Sequence, residues 1–185
     1  MTRIIGGMAG GRQILVPPGK STRPTSDRAR EGLFNTLATF VDLARARVAD
    51  LYAGSGAVGL EALSRGASHA LLVDRDPGAI RILRRNVETL GLCGAEICQA
   101  PVSRVVQNTP GKPYDVVFLD PPYALGDPEL GEVLQRLRDG AWLAADGVCV
   151  VERSHRSAPV VWPDGLSAAR ERRYGEGVLW YGTRS

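Results

Sequence analysis

The sequence predicts an α/β fold, with a mostly parallel sheet covered by helices on both faces. Three observations predict it. From Arg47 onward, short strand-like runs alternate with segments of helical periodicity. Several of those runs are continuously apolar, as in Ala70-Leu71-Leu72-Val73, which marks strands buried on both faces. A glycine turn, Gly54-Ser55-Gly56, then separates the first such strand from the first such helix. Alternation of this kind forces a parallel sheet, whose ligands bind at the carboxyl ends of its strands near the point where strand order reverses.

Each element follows in turn. Residues 1–25 read as an extended arm punctuated by Gly and Pro. Its runs Ile4-Ile5 and Gln13–Val16 suggest a hairpin, ended by Pro17-Pro18-Gly19. Ser26 can cap a helix running to about Val41, with Leu33, Phe34, Leu37, Phe40 and Val41 on one face. Val48 to Tyr52 is a strand that breaks at Gly54, and a helix follows from about Ala57 to Arg65. Ala70–Val73 is a buried strand ending at Asp74. Pro77 suits the first position of a helix whose inward face is Ile80, Leu83, Val87 and Leu90, closed by Gly91 and Gly94. Ala95–Gln99 and Asp115–Leu119 are the third and fourth strands. A helix within 127–138 and a fifth strand at Gly147–Val151 come next. Ala168–Tyr174 and Val178–Tyr181 flank Gly175-Glu176-Gly177 as an antiparallel hairpin. The expected organisation is an N-terminal arm over 1–25 and one catalytic domain over 26–185.

Composition narrows the class. With 185 residues, 44% apolar and 23% charged, the chain can bury a substantial core. It has no run of 18 apolar residues and no charged-then-apolar leader after Met1, so no membrane partner is expected. Cys93, Cys98 and Cys149 are odd in number and scattered, which suggests buried thiols in a reducing compartment. With His69 and His155 the only histidines, no metal site is expected, and the inventory predicts a cytoplasmic protein. The net charge of +3 is uneven, because residues 1–49 hold eight Lys/Arg against three acids. A basic arm on a mildly acidic body is the footprint of a polyanion-binding appendage, although short solvated segments also drift basic by chance. Arg3, Arg12, Arg23, Thr25, Arg28 and Arg30 are the candidate contacts to such a polyanion, and Arg23 and Arg28 could equally pair with Asp27 and Glu31.

The first chemical signal is Asp50-Leu51-Tyr52-Ala53-Gly54-Ser55-Gly56, continuing to Gly59. Gly54 and Gly56 let the backbone turn sharply and approach a ligand, and the following helix offers unpaired N–H groups. Asp74, 20 residues after Gly54, is placed to accept the vicinal hydroxyls of a ribose. This pattern serves a nicotinamide dinucleotide and S-adenosylmethionine equally. By the strand-end rule, Asp50, Tyr52, Gly54, Ser55, Gly56, Asp74, Arg75, Gln99, Ala100 and Asp120 form the expected cofactor-binding set.

The second signal decides between the cofactors. Phe118-Leu119 runs directly into Asp120-Pro121-Pro122-Tyr123. Two prolines fix the backbone in one shape where a strand ends. An exocyclic amine on a base is a poor nucleophile, because its lone pair is conjugated with the ring. Asp120 can accept one amine hydrogen and the rigidly presented Pro121 carbonyl the other. Two acceptors draw the nitrogen toward tetrahedral geometry and aim its lone pair at a sulfonium methyl. Tyr123 offers a stacking face for an extruded base. Asp120, Pro121, Pro122 and Tyr123 are the catalytic candidates, and positioning and electrostatics would supply most of the catalysis.

With these residues in view, the chain resembles a class I methyltransferase of the DPPY type. More closely it resembles the RsmD family of bacterial 16S ribosomal RNA guanine-N2 methyltransferases. The resemblance rests on Arg3–Gly7, Gly11-Arg12, Thr22–Thr25, Asp27–Glu31 with Leu33–Asn35, Asp50–Gly56 with Gly59–Ala62, and Asp120–Tyr123. It implies a Rossmann-like sheet of seven strands with the last reversed, S-adenosylmethionine as cofactor, and a guanine of 16S rRNA as target. It also implies an assembling 30S particle as substrate. A monomer is expected. Two positions depart from the family pattern. Cys98-Gln99-Ala100-Pro101 stands where an adenine-contacting acid is common, so Gln99 would have to accept through its amide oxygen. Met8-Ala9 stands where relatives often carry basic or aromatic residues.

Rival readings fit less of the chain. A nicotinamide-dependent oxidoreductase uses the glycines and Asp74 but leaves Asp120–Tyr123 and the basic arm without a purpose. An adenine-N6 methyltransferase acting on DNA shares the amine chemistry, but such enzymes usually need a separate target-recognition domain. A binding-only RNA chaperone leaves the intact DPPY unexplained.

Overall fold

The computed structural model describes residues 1–18 and 26–185. Two short strands, β1 (Thr2–Arg3) and β2 (Gln13–Ile14), pair antiparallel, with Thr2 opposite Ile14. The remaining elements run α1 (Asp27–Leu37), β3 (Arg47–Asp50), α2 (Ala57–Ser64), β4 (His69–Asp74), α3 (Pro77–Leu90), β5 (Ala95–Gln99), α4 (Val102–Val105), β6 (Tyr114–Leu119), α5 (Asp127–Asp139), β7 (Leu143–Ser154), β8 (Leu166–Tyr174) and β9 (Gly177–Arg184).

The large sheet has the order β5-β4-β3-β6-β7-β9-β8. Its first five strands are parallel, and β9 lies antiparallel between β7 and β8. Strand order therefore reverses between β3 and β6, where Asp50 sits opposite Phe118. Side chains of each central strand divide by period two. Val48, Leu72, Val116, Phe118, Val148 and Val150 face α1, α2 and α3, packing with Leu33, Phe34, Leu60, Ile80 and Leu83. Ala49, Leu71, Val73, Val117, Leu119, Cys149 and Val151 face α4 and α5, packing with Val102, Val106, Leu130, Val133, Leu134 and Leu137. Burial on both faces is why these strands read as nearly unbroken apolar runs. Of the three thiols expected in the core, Cys149 is buried and Cys98 half-buried, whereas Cys93 is exposed in the turn between α3 and β5.

Local rules fix the helix ends. Ser26 Oγ accepts the Ala29 amide at 3.1 Å, starting α1. Asp76 caps α3 by accepting the Gly78 and Ala79 amides, with Pro77 at the first helical position, and Gly91 ends it at φ +62°. α1 stops at Leu37, short of the expected Val41. Thr39 Oγ1 donates to the Thr36 carbonyl at 2.7 Å, offering the backbone a turn in place of another helical turn. β7 extends to Ser154, beyond the expected Val151, because β9 supplies partners as far as Gly177.

The N-terminal hairpin does not project from the body. Ile4, Ala9 and Ile14 are buried in the main core. Glu61 on α2 accepts the Ile5 and Gly6 amides at 2.8 Å each. Asn86 on α3 accepts the Leu15 amide and donates to the Leu15 carbonyl. Among the described residues, no helix is long and apolar enough to cross a membrane.

Candidate active site

The glycine turn and the end of β4 are bonded to each other. Asp74 Oδ2 accepts the Gly54 amide at 2.9 Å, and Oδ1 accepts the Asp76 amide at 2.9 Å. Gly54 has φ +56°, and a side chain there would meet nothing within 4 Å, so the fold leaves open space over this backbone. The other two glycines serve packing. A Cβ on Gly56 (φ +82°) would lie 2.3 Å from Leu83 Cδ1, and one on Gly59 2.2 Å from Leu72 Cδ2. Gly56 turns the chain, and its α-carbon faces Leu83 on α3.

Asp50 is likewise turned inward. Its Oδ2 accepts the Gly59 amide at 3.0 Å, and burial, reinforced by Asp74, pushes its carboxyl up to about 7. Asp50 therefore holds the start of α2 from within the core. Tyr52 is half-buried, and burial raises its hydroxyl to about 12 against the pull of Arg75. Ser55 is buried, its carbonyl accepting from Asn86 Nδ2. Gln99 is exposed at the end of β5 opposite Asp74, and the Ala100 amide donates to the Asp74 carbonyl. The ends of β3, β4 and β5 thus bring Gly54, Asp74, Gln99 and Ala100 together, with Asp50 and Ser55 buried behind them.

Asp120 follows β6, on the other side of the strand-order reversal. It opens a cavity of about 450 Å³, lined by Asp120, Pro121, Pro122 and Tyr123. Such a volume falls within the roughly 300–1,000 Å³ of small-molecule sites. Pro121 is buried, Pro122 is exposed, and Tyr123 is 71% exposed, which leaves its ring available for stacking. The Leu125 amide donates to the Pro122 carbonyl at 2.9 Å, closing a turn that fixes the motif. Burial first, then the charges of Glu152 and Asp50, hold the Asp120 carboxyl well above the usual carboxylate range.

The rest of the lining includes Arg28, named from the sequence, together with residues that sequence reasoning missed: Ser26 and Ala29 at the start of α1, Glu152 on β7, and Tyr174 on the β8–β9 hairpin. Glu152 could have been found, since it ends the apolar run Val148–Val151 just as Asp120 ends Val116–Leu119. Arg153 also lines the cavity, where it bonds to the Leu125 carbonyl and to Asp127, each at 3.0 Å.

The candidate RNA contacts separate. Arg28 lines the cavity. Arg3 pairs with Asp27 at 3.0 Å on the surface. Arg12 donates to the Leu90 carbonyl at 2.8 Å and to the Thr89 carbonyl, capping α3. Arg30 is corrected: its side chain is fully buried, 3.5 Å from the buried Glu61, and cannot reach a polyanion. Arg23 and Thr25 lie outside the described residues.

Comparisons with known proteins agree with this geometry. The family model described as Conserved hypothetical protein 95 matches residues 2–183. Ribosomal RNA small subunit methyltransferase D of Escherichia coli K12 is 38% identical over 174 residues, covering 94% of this chain and 85% of that protein. The Haemophilus influenzae protein of the same name is 32% identical over 177 residues, covering 94% and 89%. Among solved structures, the Escherichia coli protein yhhF matches with a TM-score of 0.85 at 37% identity, covering 99% of this chain and 97% of that one. A hypothetical protein of Thermus thermophilus matches with a TM-score of 0.81 at 33% identity, with both chains fully covered. The seven-stranded order with its antiparallel end is that of a Rossmann-like class I methyltransferase. The chain belongs to the Conserved hypothetical protein 95 family, the RsmD family of ribosomal RNA methyltransferases.

Proposed function

We propose that the chain transfers a methyl group from S-adenosylmethionine to the exocyclic N2 amine of a guanine in 16S rRNA. The observation that carries this reading is the placement of Asp120 and its two prolines. They end β6 on a cavity open to solvent, beside the point where strand order reverses.

Bound S-adenosylmethionine supplies an electrophilic methyl on a sulfonium. The residues present suit it, with open space over Gly54 and a carboxylate at Asp74 for vicinal ribose hydroxyls. Tyr123 stacks on the extruded base. Asp120 accepts one N2 hydrogen and the Pro121 carbonyl accepts the other, which frees the nitrogen lone pair. Methyl transfer from that sulfonium to the amine would leave a surplus amine proton, which Asp120 is placed to accept. The raised basicity of that carboxylate suits it to receive the proton.

On this reading the enzyme works as a monomer in the cytoplasm, on rRNA within an assembling 30S particle, and residues 1–25 with Arg28 contact the RNA. The relatives named for ribosomal RNA do not favour DNA adenine methylation or nicotinamide chemistry. Mass mapping of rRNA in a strain lacking the protein tests the proposal. One N2-methylguanosine of 16S rRNA should disappear and return with the wild-type gene. An unchanged modification map would overturn it.

A further inference from the structure

We propose that Glu152 selects guanine, its carboxylate accepting the N1–H of the base whose N2 amine Asp120 holds. The inference rests on the amine-methylation reading above and adds the residue that chooses among purines.

Register carries the argument. β6 and β7 are parallel neighbours, with Leu119 opposite Val151. Asp120 and Glu152 are the next residues of those two strands. Paired strands run about 4.8 Å apart, so both carboxylates can reach one base edge. Both line the same cavity. They are close enough that the Glu152 charge contributes to the raised basicity of Asp120.

Two acids side by side at the end of a sheet offer a row of acceptors, which a ligand rich in donors matches. Guanine is such a ligand. Its N1–H and the two hydrogens of N2 are neighbouring donors on one edge, and Asp120, the Pro121 carbonyl and Glu152 supply an acceptor for each. Adenine presents an unprotonated N1 beside its amine, so its lone pair would face the Glu152 carboxylate. The geometry that holds guanine therefore rejects adenine. A site built around a charged hydrogen bond discriminates strongly, because an analogue without the donor sets a lone pair against the acceptor.

The test compares target RNA carrying guanosine with the same RNA carrying 2-aminopurine riboside at the target position. The analogue keeps the N2 amine and lacks N1–H. The wild type should prefer guanosine by roughly 10- to 100-fold in kcat/KM. In Glu152→Gln the amide can donate to an unprotonated N1, so kcat/KM for guanosine should fall by a similar factor and the preference should collapse toward parity. Melting temperature and S-adenosylhomocysteine affinity report whether the variant is folded. A loss that falls equally on both substrates, leaving the preference intact, would overturn the selection role. So would a wild type that methylates both substrates equally, although the methyltransferase reading would then stand. A wild type that methylates neither would overturn that reading itself, and this inference with it.

Discussion

The Asp74 carboxylate accepts the Gly54 amide at 2.9 Å, so the acid that ends β4 also sets the glycine turn that follows β3. The spacing of the two residues in sequence is therefore a bond in space, and the ribose-binding acid and the open backbone are fixed relative to each other. Asp74→Ala should raise the dissociation constant for S-adenosylhomocysteine by roughly 10- to 100-fold, the worth of a charged hydrogen bond. Titration calorimetry reads this directly. An unchanged constant would contradict the ribose assignment.

Asp50 makes stability depend on pH. Its folded-state value of about 7 lies above its ordinary 3.8, so between these values the folded protein binds more protons than the unfolded chain. The stabilisation is present below pH 4 and is lost as pH rises through 7. Asp50→Asn keeps an oxygen for the Gly59 amide and removes the charge. Above pH 7 the variant should be the more stable by up to about 4 kcal/mol, at about 1.4 kcal/mol per pH unit, and the gap should close toward pH 4. Urea midpoints at pH 4.5 and 8 measure it, and parallel curves at both values would refute it.

The buried pair of Arg30 and Glu61 fastens α1 and the N-terminal hairpin to α2. Glu61 also accepts from Arg65 Nε at 2.9 Å and from the Ile5 and Gly6 amides. Arg30→Met leaves Glu61 without one buried cation and should cost roughly 3–5 kcal/mol, as removal of one partner of a buried pair does. Adding Glu61→Gln should cost less than the sum of the single changes. Single variants within about 0.5 kcal/mol of wild type, the range of ordinary surface changes, would contradict the fastening role.

Arg28 and Arg12 should behave differently toward RNA. Arg28 stands at the cavity, so Arg28→Ala should weaken RNA binding and reduce the salt slope by about one phosphate contact. Arg12 caps the end of α3, so Arg12→Ala should lower thermal stability and change the salt slope less. Filter binding across salt concentrations decides. An unchanged slope in Arg28→Ala would remove it from the interface.

Much of this architecture is legible in the chain because buried parallel strands carry little polar punctuation. Gly94 marks the start of the strand Ala95–Gln99, and Pro77 the first position of α3. Asp74 and Asp120 stand out because an acid directly after an apolar strand needs a purpose. Arg30 misleads, since counting charge along a chain does not tell a solvated cation from a buried one. The helical spacing from Arg30 to Leu33, Phe34 and Leu37 does place it on the apolar face of α1. The four residues of α4 are too few to show periodicity. Glu152 carries the same signal, an acid directly after an apolar strand, but its place beside Asp120 comes only from the tertiary pairing of β7 with β6.

The central claim concerns Asp120 as acceptor for the amine that is methylated. It is tested most directly by incubating rRNA from a strain lacking the protein with purified enzyme and isotopically labelled S-adenosylmethionine, then identifying the labelled nucleoside. N2-methylguanosine should form with the wild type. With Asp120→Ala it should form roughly 100- to 10,000-fold more slowly, the range of a lost proton acceptor, while S-adenosylhomocysteine still binds. Label on another nucleoside, or turnover by Asp120→Ala near the wild-type rate, would contradict the account.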